Sequence, residues 1–450
     1  MAISNASADS LPSSGDIASV ANLSVIDSDR QLDIAVGQAL FEKTWVSAPS
    51  STHASDGLGP LYNARSCQAC HVKAGRGRPP VDSTDISPSF VVQISVPAGN
   101  NRNDNDTDTD PDDYGLKPDP TYGWQLQTFA VTGLLAEARP KVTWEDVMVD
   151  FDDGEEVDLR RPRIDLSEHG YGPMRPDIQT SMRVAPAIKG LGLIEAISSE
   201  DIKKFEDPFD RDGDGISGRA NRTNSSIGTS SALGRFGLKA TFSTIDDQVQ
   251  SAFAKDLGLG VPKHPDPSGD CMSTQTVCRD HAAGYASNDD LEVNADMVEL
   301  VAQFVASIDA PVTADDDTAD VAAGRELFNA ARCNRCHREQ YHIHLPSDNG
   351  FEKTRVIRPY TDLLLHDMGE GLADGRPDGT ANGREWRTAP LWGVGESGQD
   401  GIANYLHDGR ARTLIEAVLW HDGEARYSSD RVRSMGKRER HQLISFLESL

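Results

Sequence analysis

Four of the six cysteines lie in two copies of a five-residue pattern, Cys-x-x-Cys-His, at residues 67–71 and 333–337. In this pattern the two thiols form thioethers to the vinyl groups of a haem from a single turn. The adjacent histidine is left beneath the ring to ligate the iron. The pattern predicts two covalently bound haem c groups. Their attachment residues are Cys67, Cys70, Cys333 and Cys336, and their proximal ligands are His71 and His337.

A zinc ribbon or a thioredoxin-like redox pair is the alternative interpretation of a Cys-x-x-Cys pair. A zinc ribbon would have to combine two pairs that stand far apart in the chain. Neither alternative explains why a histidine directly follows both pairs. Haem attachment is therefore the favoured chemistry.

The two remaining cysteines, Cys271 and Cys278, lie close together in a stretch rich in Pro, Asp and Gly. Covalent haem attachment takes place on the outer side of the bacterial inner membrane, so we expect a periplasmic protein whose leader has been removed. In an oxidising compartment a disulfide between these cysteines is favoured over two free thiols.

Residues 210–216 read Asp-Arg-Asp-Gly-Asp-Gly-Ile, which matches the start of a calcium-binding loop. Such loops place oxygen ligands at positions 1, 3 and 5, a glycine at position 6 and a backbone carbonyl at position 7. The predicted ligands are Asp210, Asp212, Asp214 and the carbonyl of Ile216. The twelfth position holds Asn221 instead of the usual glutamate, which favours one structural Ca²⁺ over a sensor. The alternative is a glycine-rich acidic turn.

The charge balance excludes several partners. Lys and Arg number 44 against 71 Asp and Glu, which leaves a net charge of −27. Nucleic acids are bound by clustered basic residues, and an anionic membrane surface repels an acidic chain. No stretch approaches the roughly 18 apolar residues of a membrane-spanning helix. We therefore expect neither a nucleic-acid partner nor a transmembrane segment.

The elements that would position these groups are helices. Apolar residues recur at helical spacing in five segments, and no comparable set of alternating strands is seen, so the pattern predicts a mainly α protein with long loops. The predicted helical segments are 29–45, 291–308, 319–331, 411–420 and 434–449.

A weak internal repeat groups these elements into two halves. Residues 37–41 (Gly-Gln-Ala-Leu-Phe) precede the first haem motif, and residues 324–328 (Gly-Arg-Glu-Leu-Phe) precede the second. Downstream, Arg-Val-Ala-Pro at 183–186 matches Arg-Thr-Ala-Pro at 387–390. Such self-similarity indicates two haem domains of common descent. We expect a disordered N-terminal segment, a first cytochrome c-like domain with insertions and the calcium loop, a linker, and a second cytochrome c-like domain, at residues 1–30, 31–308, 309–318 and 319–450.

With these motifs in place, the chain resembles the di-haem oxidoreductase family of peroxidase-like proteins, sometimes called thiol oxidoreductases. That family is distantly similar to bacterial di-haem cytochrome c peroxidase and to MauG. The resemblance runs from about Gly37 to the end of the chain. It is carried mainly by residues 56–63, 190–196, 234–237, 359–369 and 406–411.

The resemblance implies further site residues. His421 lies twelve residues after Gly409, where relatives carry the sixth ligand of the second haem, usually Met or Tyr. Glu195 occupies roughly the position where relatives carry a distal glutamate that moves protons during peroxide cleavage. The alternative is a glutamate that stabilises the start of a helix through the helix dipole. The distal face of the first haem is expected to be open or closed by a displaceable ligand. Relatives place a tryptophan between the haems, and this chain has none just before Arg183.

The function implied is a periplasmic di-haem oxidoreductase that reduces peroxide at the His71 haem. Electrons would arrive through the haem held by His337 and His421, from a small electron-donor protein or a small-molecule reductant. The first alternative is a di-haem electron-transfer protein without a substrate pocket, such as a redox partner in iron acquisition. The second is MauG-like oxidation of a protein substrate.

Overall fold

A computed structural model describes residues 28–52, 54–97, 117–223, 232–281, 291–312, 318–345, 353–398 and 403–450. The predicted disordered segment 1–30 lies almost entirely outside the described residues. The predicted linker 309–318 lies partly outside them. The domain boundaries at 31–308 and 319–450 stay predictions.

The described chain contains helices α1 to α12, which are Ser28–Glu42, Cys67–Cys70, Leu191–Glu195, Ser199–Lys203, Ile245–Leu257, Thr276–Arg279, Ala295–Ser307, Ala319–Ala330, Gly369–Leu372, Leu414–Leu419, Arg426–Arg433 and Lys437–Glu448. Strands β1 to β12 are Leu61–Tyr62, Phe90–Ser95, Phe129–Ala130, Lys141–Asp150, Glu156–Asp165, Gln179–Val184, Arg222–Thr223, Ala232–Leu233, Tyr341–Leu345, Lys353–Ile357, Leu365–Asp367 and Glu385–Arg387. These strands form two-stranded antiparallel sheets in the pairs β1 with β3, β2 with β6, β4 with β5, β7 with β8, β9 with β10, and β11 with β12.

The prediction of a mainly α fold built from cytochrome c-like domains is wrong, because only about 30% of the described residues are helical and 20% are in strands. The missed strands have a physical explanation. The longest pair, β4 and β5, carries charged residues on both faces and is largely solvent-exposed, so its apolar alternation is weak. The two-residue strands form because they pair with segments far away in the sequence, as Leu61 does with Ala130. The local alternation of apolar residues carries no signal for such pairing.

The internal repeat corresponds to two helix pairs, in which α1 packs on α7 and α8 packs on α12. Gly37 and Gly324 lie at the two crossings, where a Cβ on either residue would collide with the main chain of the partner helix. Next to each glycine a phenylalanine pair packs with its ring centroids 5.3 Å apart. Side chains of Asn294 and Thr318 cap the N-termini of α7 and α8.

Two large hydrophobic clusters surround these helix pairs, and each takes residues from both halves of the sequence. The cluster around α1, α5 and α7 includes Tyr341 and Ile343 of β9. The cluster around α8 and α12 includes Phe151 and Leu159 of the β4–β5 hairpin. Each half of the sequence therefore contributes residues to the hydrophobic core around the other half's helix pair.

Within the described part of the chain, no helix has both the length and the apolar character needed to cross a bilayer.

Candidate haem sites and the contacts between them

The first Cys-x-x-Cys-His motif forms the short helix α2 and the turn after it. The hydroxyl of Ser66 caps α2 by accepting a hydrogen bond from the Ala69 amide. The Nδ1 of His71 donates to the Pro186 carbonyl at 3.0 Å. Burial lowers the pKa of His71 to about 4. The ring is therefore a neutral imidazole whose Nε2 carries the lone pair that binds a metal.

The second motif has the same arrangement on the other side of the repeat. The Nδ1 of His337 donates to the Tyr360 carbonyl at 3.0 Å, and burial lowers the pKa of His337 to about 4. The ring centroid of Phe328 lies 6.4 Å from that of His337, and Phe41 lies 6.5 Å from His71. Both histidines are thus held in one tautomer by a carbonyl and packed by an equivalent aromatic ring.

These residues fit covalent haem. All four motif cysteines are outside any disulfide, and each pair is followed by an imidazole whose Nδ1 is held by a backbone carbonyl. Cys67 packs against one large hydrophobic cluster and Cys333 against the other. In the described residues the four thiols do not come together as one group of metal ligands, so a four-cysteine zinc ribbon does not fit.

His421 follows α10 and interacts electrostatically with His337. Its Nδ1 donates to the Ala417 carbonyl at 2.8 Å, which leaves Nε2 free. Burial lowers the pKa of His421, and His421 in turn contributes to lowering the pKa of His337. The structure therefore brings the predicted sixth ligand near the predicted proximal ligand of the same haem.

His366 occupies a different environment and is more deeply buried than His421. Its Nε2 lies 3.0 Å from the Asp362 carboxylate and its Nδ1 lies 2.7 Å from the Glu424 carboxylate. Burial alone would lower the pKa of His366, but Cys336 and Asp362 raise it well above its usual range. Because both nitrogens have carboxylate partners, His366 lacks a free nitrogen for iron.

The family model described as "Di-haem oxidoreductase, putative peroxidase" matches residues 14–450. The chain belongs to this family. No curated protein matches this chain. A solved structure of hydrazine synthase from Kuenenia stuttgartiensis, pressurized with xenon, is similar at 13% identity and a TM-score of 0.35, covering 100% of this chain and 98% of that chain.

In this di-haem oxidoreductase, Glu195 ends α3 and points to the start of α5. One of its carboxylate oxygens accepts a hydrogen bond from the Ile245 amide at 2.8 Å. Glu195 also interacts electrostatically with Arg235, whose pKa is lowered by burial and raised by Glu195. The carboxylate of Glu195 thus binds the amide at the start of α5, which agrees with the alternative of a glutamate that stabilises a helix N-terminus.

The acidic loop places the carboxylates of Asp210, Asp212 and Asp214 within 4.8 Å of one another. It adjoins the second half of the chain, because Asp214 lies 3.6 Å from Arg335 and Ser217 donates to Glu424 at 2.7 Å. At the twelfth position, Asn221 faces elsewhere. Its side chain donates to the carbonyls of Lys239 and Asp378 and accepts from Thr380. The loop therefore brings together the three predicted carboxylate ligands at positions 1, 3 and 5, but it lacks a ligand at position 12.

Cys271 and Cys278 are joined by a disulfide beside a small apolar cluster that includes Leu61. This bond lies away from both haem motifs in sequence and ties the segment before α6 to α6 itself.

No pattern in the sequence assigned a role to Trp386, which the structure places against residues from both halves of the chain. Its ring stacks on His407 with centroids 3.8 Å apart and planes 10° apart. Trp386 is also the cross-strand partner of His366, which lies 3.8 Å from the sulfur of Cys336. The carbonyl of His407 accepts from Val184 at 2.8 Å, two residues before the Pro186 carbonyl that holds His71.

Lys239 lies beside Trp386 and His407, and the three residues form a buried junction between the two halves of the chain. The side chain of Lys239 is a charged ammonium. Its ammonium is fully buried, lies 4.4 Å from the Trp386 ring, and donates to Asp374 and to the carbonyls of Arg376 and Asn382. Burial lowers the pKa of Lys239 to about 8. The signal in the sequence is that Trp386 directly precedes the second Arg-x-x-Pro segment, whereas relatives place their tryptophan before the first.

Proposed function

We propose that this di-haem oxidoreductase reduces peroxide at a haem ligated by His71, with electrons that enter through a haem ligated by His337 and His421. The observation that carries the proposal is a difference between the two proximal histidines. Two imidazoles interact electrostatically with His337, those of His421 and His366. Of these two, His366 has carboxylates at both nitrogens, whereas His421 uses only Nδ1. The polar contacts of the His71 ring come instead from the backbone of Pro186 and Gly75. Two imidazoles make a haem six-coordinate and suited to electron transfer, whereas one protein ligand leaves a position for substrate.

Bound haem supplies the redox chemistry, and this chain supplies attachment, orientation and protons. Reduction of one peroxide to two waters takes two electrons and two protons. Glu195 is the residue proposed to carry a proton from the near to the far oxygen of peroxide. Its known contact with the Ile245 amide uses one carboxylate oxygen at 2.8 Å, so a second oxygen is left for this role.

The electron path proposed between the halves follows contacts already described. It runs from Cys336 to His366, across the β11–β12 pair to Trp386, through the stacked ring of His407, and along the backbone at Val184 to the carbonyl that holds His71. Every link is a contact within the described residues, which supports a continuous route through protein atoms.

Three further features belong to the same proposal. One Ca²⁺ is held by the carboxylates of Asp210, Asp212 and Asp214 and by the carbonyl of Ile216. The protein works in the periplasm, which the disulfide and the two haem motifs support. Its electron donor is a small protein or small-molecule reductant, and its oxidant is peroxide.

The test is turnover of hydrogen peroxide by the haem-loaded protein with a reduced small cytochrome or dye, alongside electronic absorption spectra in the resting and half-reduced states. The proposal expects peroxide-dependent oxidation of the donor and a high-spin fraction from one haem. Two fully low-spin haems that do not react with peroxide would contradict it and favour an electron carrier.

A further inference from the structure

Helix α11 and the residues after it form a basic segment in a chain that is strongly acidic as a whole. Residues 425–438 contain five basic side chains and one acidic side chain, whereas the whole chain has a net charge of −27. The guanidinium of Arg426 is 72% exposed and lies 3.8 Å from Asp422 and 3.9 Å from Asp430. Exposed ion pairs of this kind are weak. Arg431 is exposed as well, so the helix presents a net positive charge to solvent.

The same helix lies against the second haem motif. The Ser428 hydroxyl donates a hydrogen bond to the sulfur of Cys333. Arg332, the residue before this cysteine, places its guanidinium over the ring of Tyr427 at 4.5 Å. The surface of α11 is therefore in contact with a sulfur that is predicted to carry the second haem.

An exposed aromatic ring lies among these arginines. Tyr427 is 48% exposed, and Arg431 follows it by one helical turn on the same face of α11. Tyr and Arg are enriched in protein–protein interfaces and among the residues that contribute most to binding. Arg332, Arg426, Tyr427 and Arg431, which we call the α11 patch, thus have the composition of a docking surface.

We propose that the α11 patch is the surface on which a small acidic electron-donor protein docks to reduce the haem attached at Cys333. The inference rests on the proposed function, in which electrons enter through that haem. It adds the face that the donor uses and the charge that the donor carries. Each encounter transfers one electron, which oxidises the donor and reduces the haem, and no covalent bond forms or breaks.

The charge distribution favours an acidic donor over a basic one. The net charge of −27 repels an acidic protein from the chain as a whole, whereas the α11 patch attracts it. Such a contrast orients the donor during its approach, because complementary charge selects one docking face and like charge disfavours the others. A basic protein would instead be attracted to the acidic surface in general and repelled at the α11 patch.

The experiment is stopped-flow reduction of the ferric, haem-loaded protein by a reduced plant-type [2Fe–2S] ferredoxin, which is acidic and has a potential low enough to reduce haem c. The second-order rate constant should fall as ionic strength rises from about 10 to 200 mM, since salt screens the attraction between exposed charges. The double variant with Arg426→Glu and Arg431→Glu should react at least about tenfold more slowly at low salt, because charge steering changes association rates by about 10-fold to 10³-fold.

A matched control reverses the charge of two exposed arginines of the first half, Arg163 and Arg175, which are 57% and 49% exposed. This variant should react with ferredoxin as the wild type does. Reduction by photoreduced lumiflavin, a small uncharged reductant, should have the same rate in all variants, which checks that the haems and the fold are intact. Arg426→Gln with Arg431→Gln, which removes the two charges without reversing them, should give an intermediate rate with ferredoxin.

Equal ferredoxin rates in the wild type and in the variant with two glutamates would overturn the proposal. A wild-type rate that rises with ionic strength would also overturn it, because it would show net repulsion of the donor. These measurements follow reduction of the haem and not turnover. Failure of peroxide reduction alongside the expected ferredoxin rates would therefore contradict the proposed function and leave the docking surface in place.

Discussion

At the residue scale, the buried His366 and the half-buried His421 differ in what their ring nitrogens can bind. Both nitrogens of His366 face carboxylates, at 3.0 and 2.7 Å. His421 uses only Nδ1, which donates to a carbonyl, and keeps Nε2 free. Metal ligation by imidazole needs a free nitrogen whose partner nitrogen is held in place. His421 meets that condition and His366 does not.

Replacement of His421 by alanine is expected to turn one of the two haems high-spin and leave the other unchanged, because the sixth ligand of only one iron is removed. Electronic absorption and paramagnetic resonance spectra of the ferric protein measure this. His366→Gln is the comparison variant and should keep both spin states. If the spectra of His421→Ala matched those of the wild type, the ligand assignment would be wrong.

Two substitutions of Glu195 separate a proton carrier from a helix-stabilising residue. Glu195→Gln keeps an oxygen that can accept from the Ile245 amide but removes the ionisable group. It should slow peroxide reduction by about 10²-fold to 10⁴-fold at unchanged stability if the residue acts as a general acid and base. Glu195→Ala should in addition lower the free energy of unfolding by about 1 kcal/mol. Full turnover in Glu195→Gln would limit the residue to its structural role.

At the scale of elements, the β4–β5 hairpin from the first half ties itself to the second half near α10. The guanidinium of Arg160 donates to the carbonyls of Gly409 and Arg410 at 3.0 and 2.8 Å and lies over the Trp144 ring at 3.9 Å. Apolar residues of the same hairpin belong to the cluster around α8 and α12. The hairpin thus supports the segment that leads to His421.

Arg160→Ala is expected to lower the free energy of unfolding by about 1.5–3 kcal/mol, since it removes charged hydrogen bonds to two carbonyls. Denaturant unfolding followed by haem absorbance measures the change. Arg163→Ala in the same strand is the matched control. Arg163 is 57% exposed and pairs with Glu145, so its loss should change stability by about 0.5 kcal/mol or less. Equal effects of the two substitutions would contradict the role given to Arg160.

The acidic loop is the second element with a separable contribution. Millimolar Ca²⁺ should raise the thermal midpoint of the haem-loaded protein, by an amount equivalent to about 2.7 kcal/mol when the free ion is at 100 times its dissociation constant. Chelator should reverse the effect, and Asp212→Asn should abolish it. Asp430→Asn, in an exposed position on α11, serves as the control. If Ca²⁺ left the thermal midpoint unchanged, the loop would be an acidic turn without a bound ion.

At the scale of the whole molecule, the two halves meet at a buried junction that contains Trp386, His407 and Lys239. Replacement of Trp386 by leucine removes the stacked ring and is expected to slow electron transfer between the haems. Stopped-flow or flash reduction of the mixed-valence protein measures the rate. Trp392→Leu, which changes another tryptophan beside Gly190, is the control and should leave the rate unchanged. An unchanged rate in Trp386→Leu would place the route elsewhere.

The haem motifs and the principal helices could be predicted from sequence because both are local signals. The segments predicted at 291–308 and 319–331 match helices Ala295–Ser307 and Ala319–Ala330. The sheets could not be predicted in the same way. Val184 at the end of β6 pairs with Phe90, almost a hundred residues earlier, and no local pattern encodes that distance.

The sequence by itself predicted which residues attach the haems, because thioether attachment requires two thiols and a histidine within one turn of chain. It also determined the family, since those motifs and their flanking segments are contiguous. Only the tertiary structure decided which histidine keeps a ring nitrogen without a carboxylate partner, and which tryptophan contacts both halves. Those properties depend on groups far apart in sequence, such as Glu424 against His366 and His407 against Trp386, and their contacts exist only after the chain has packed.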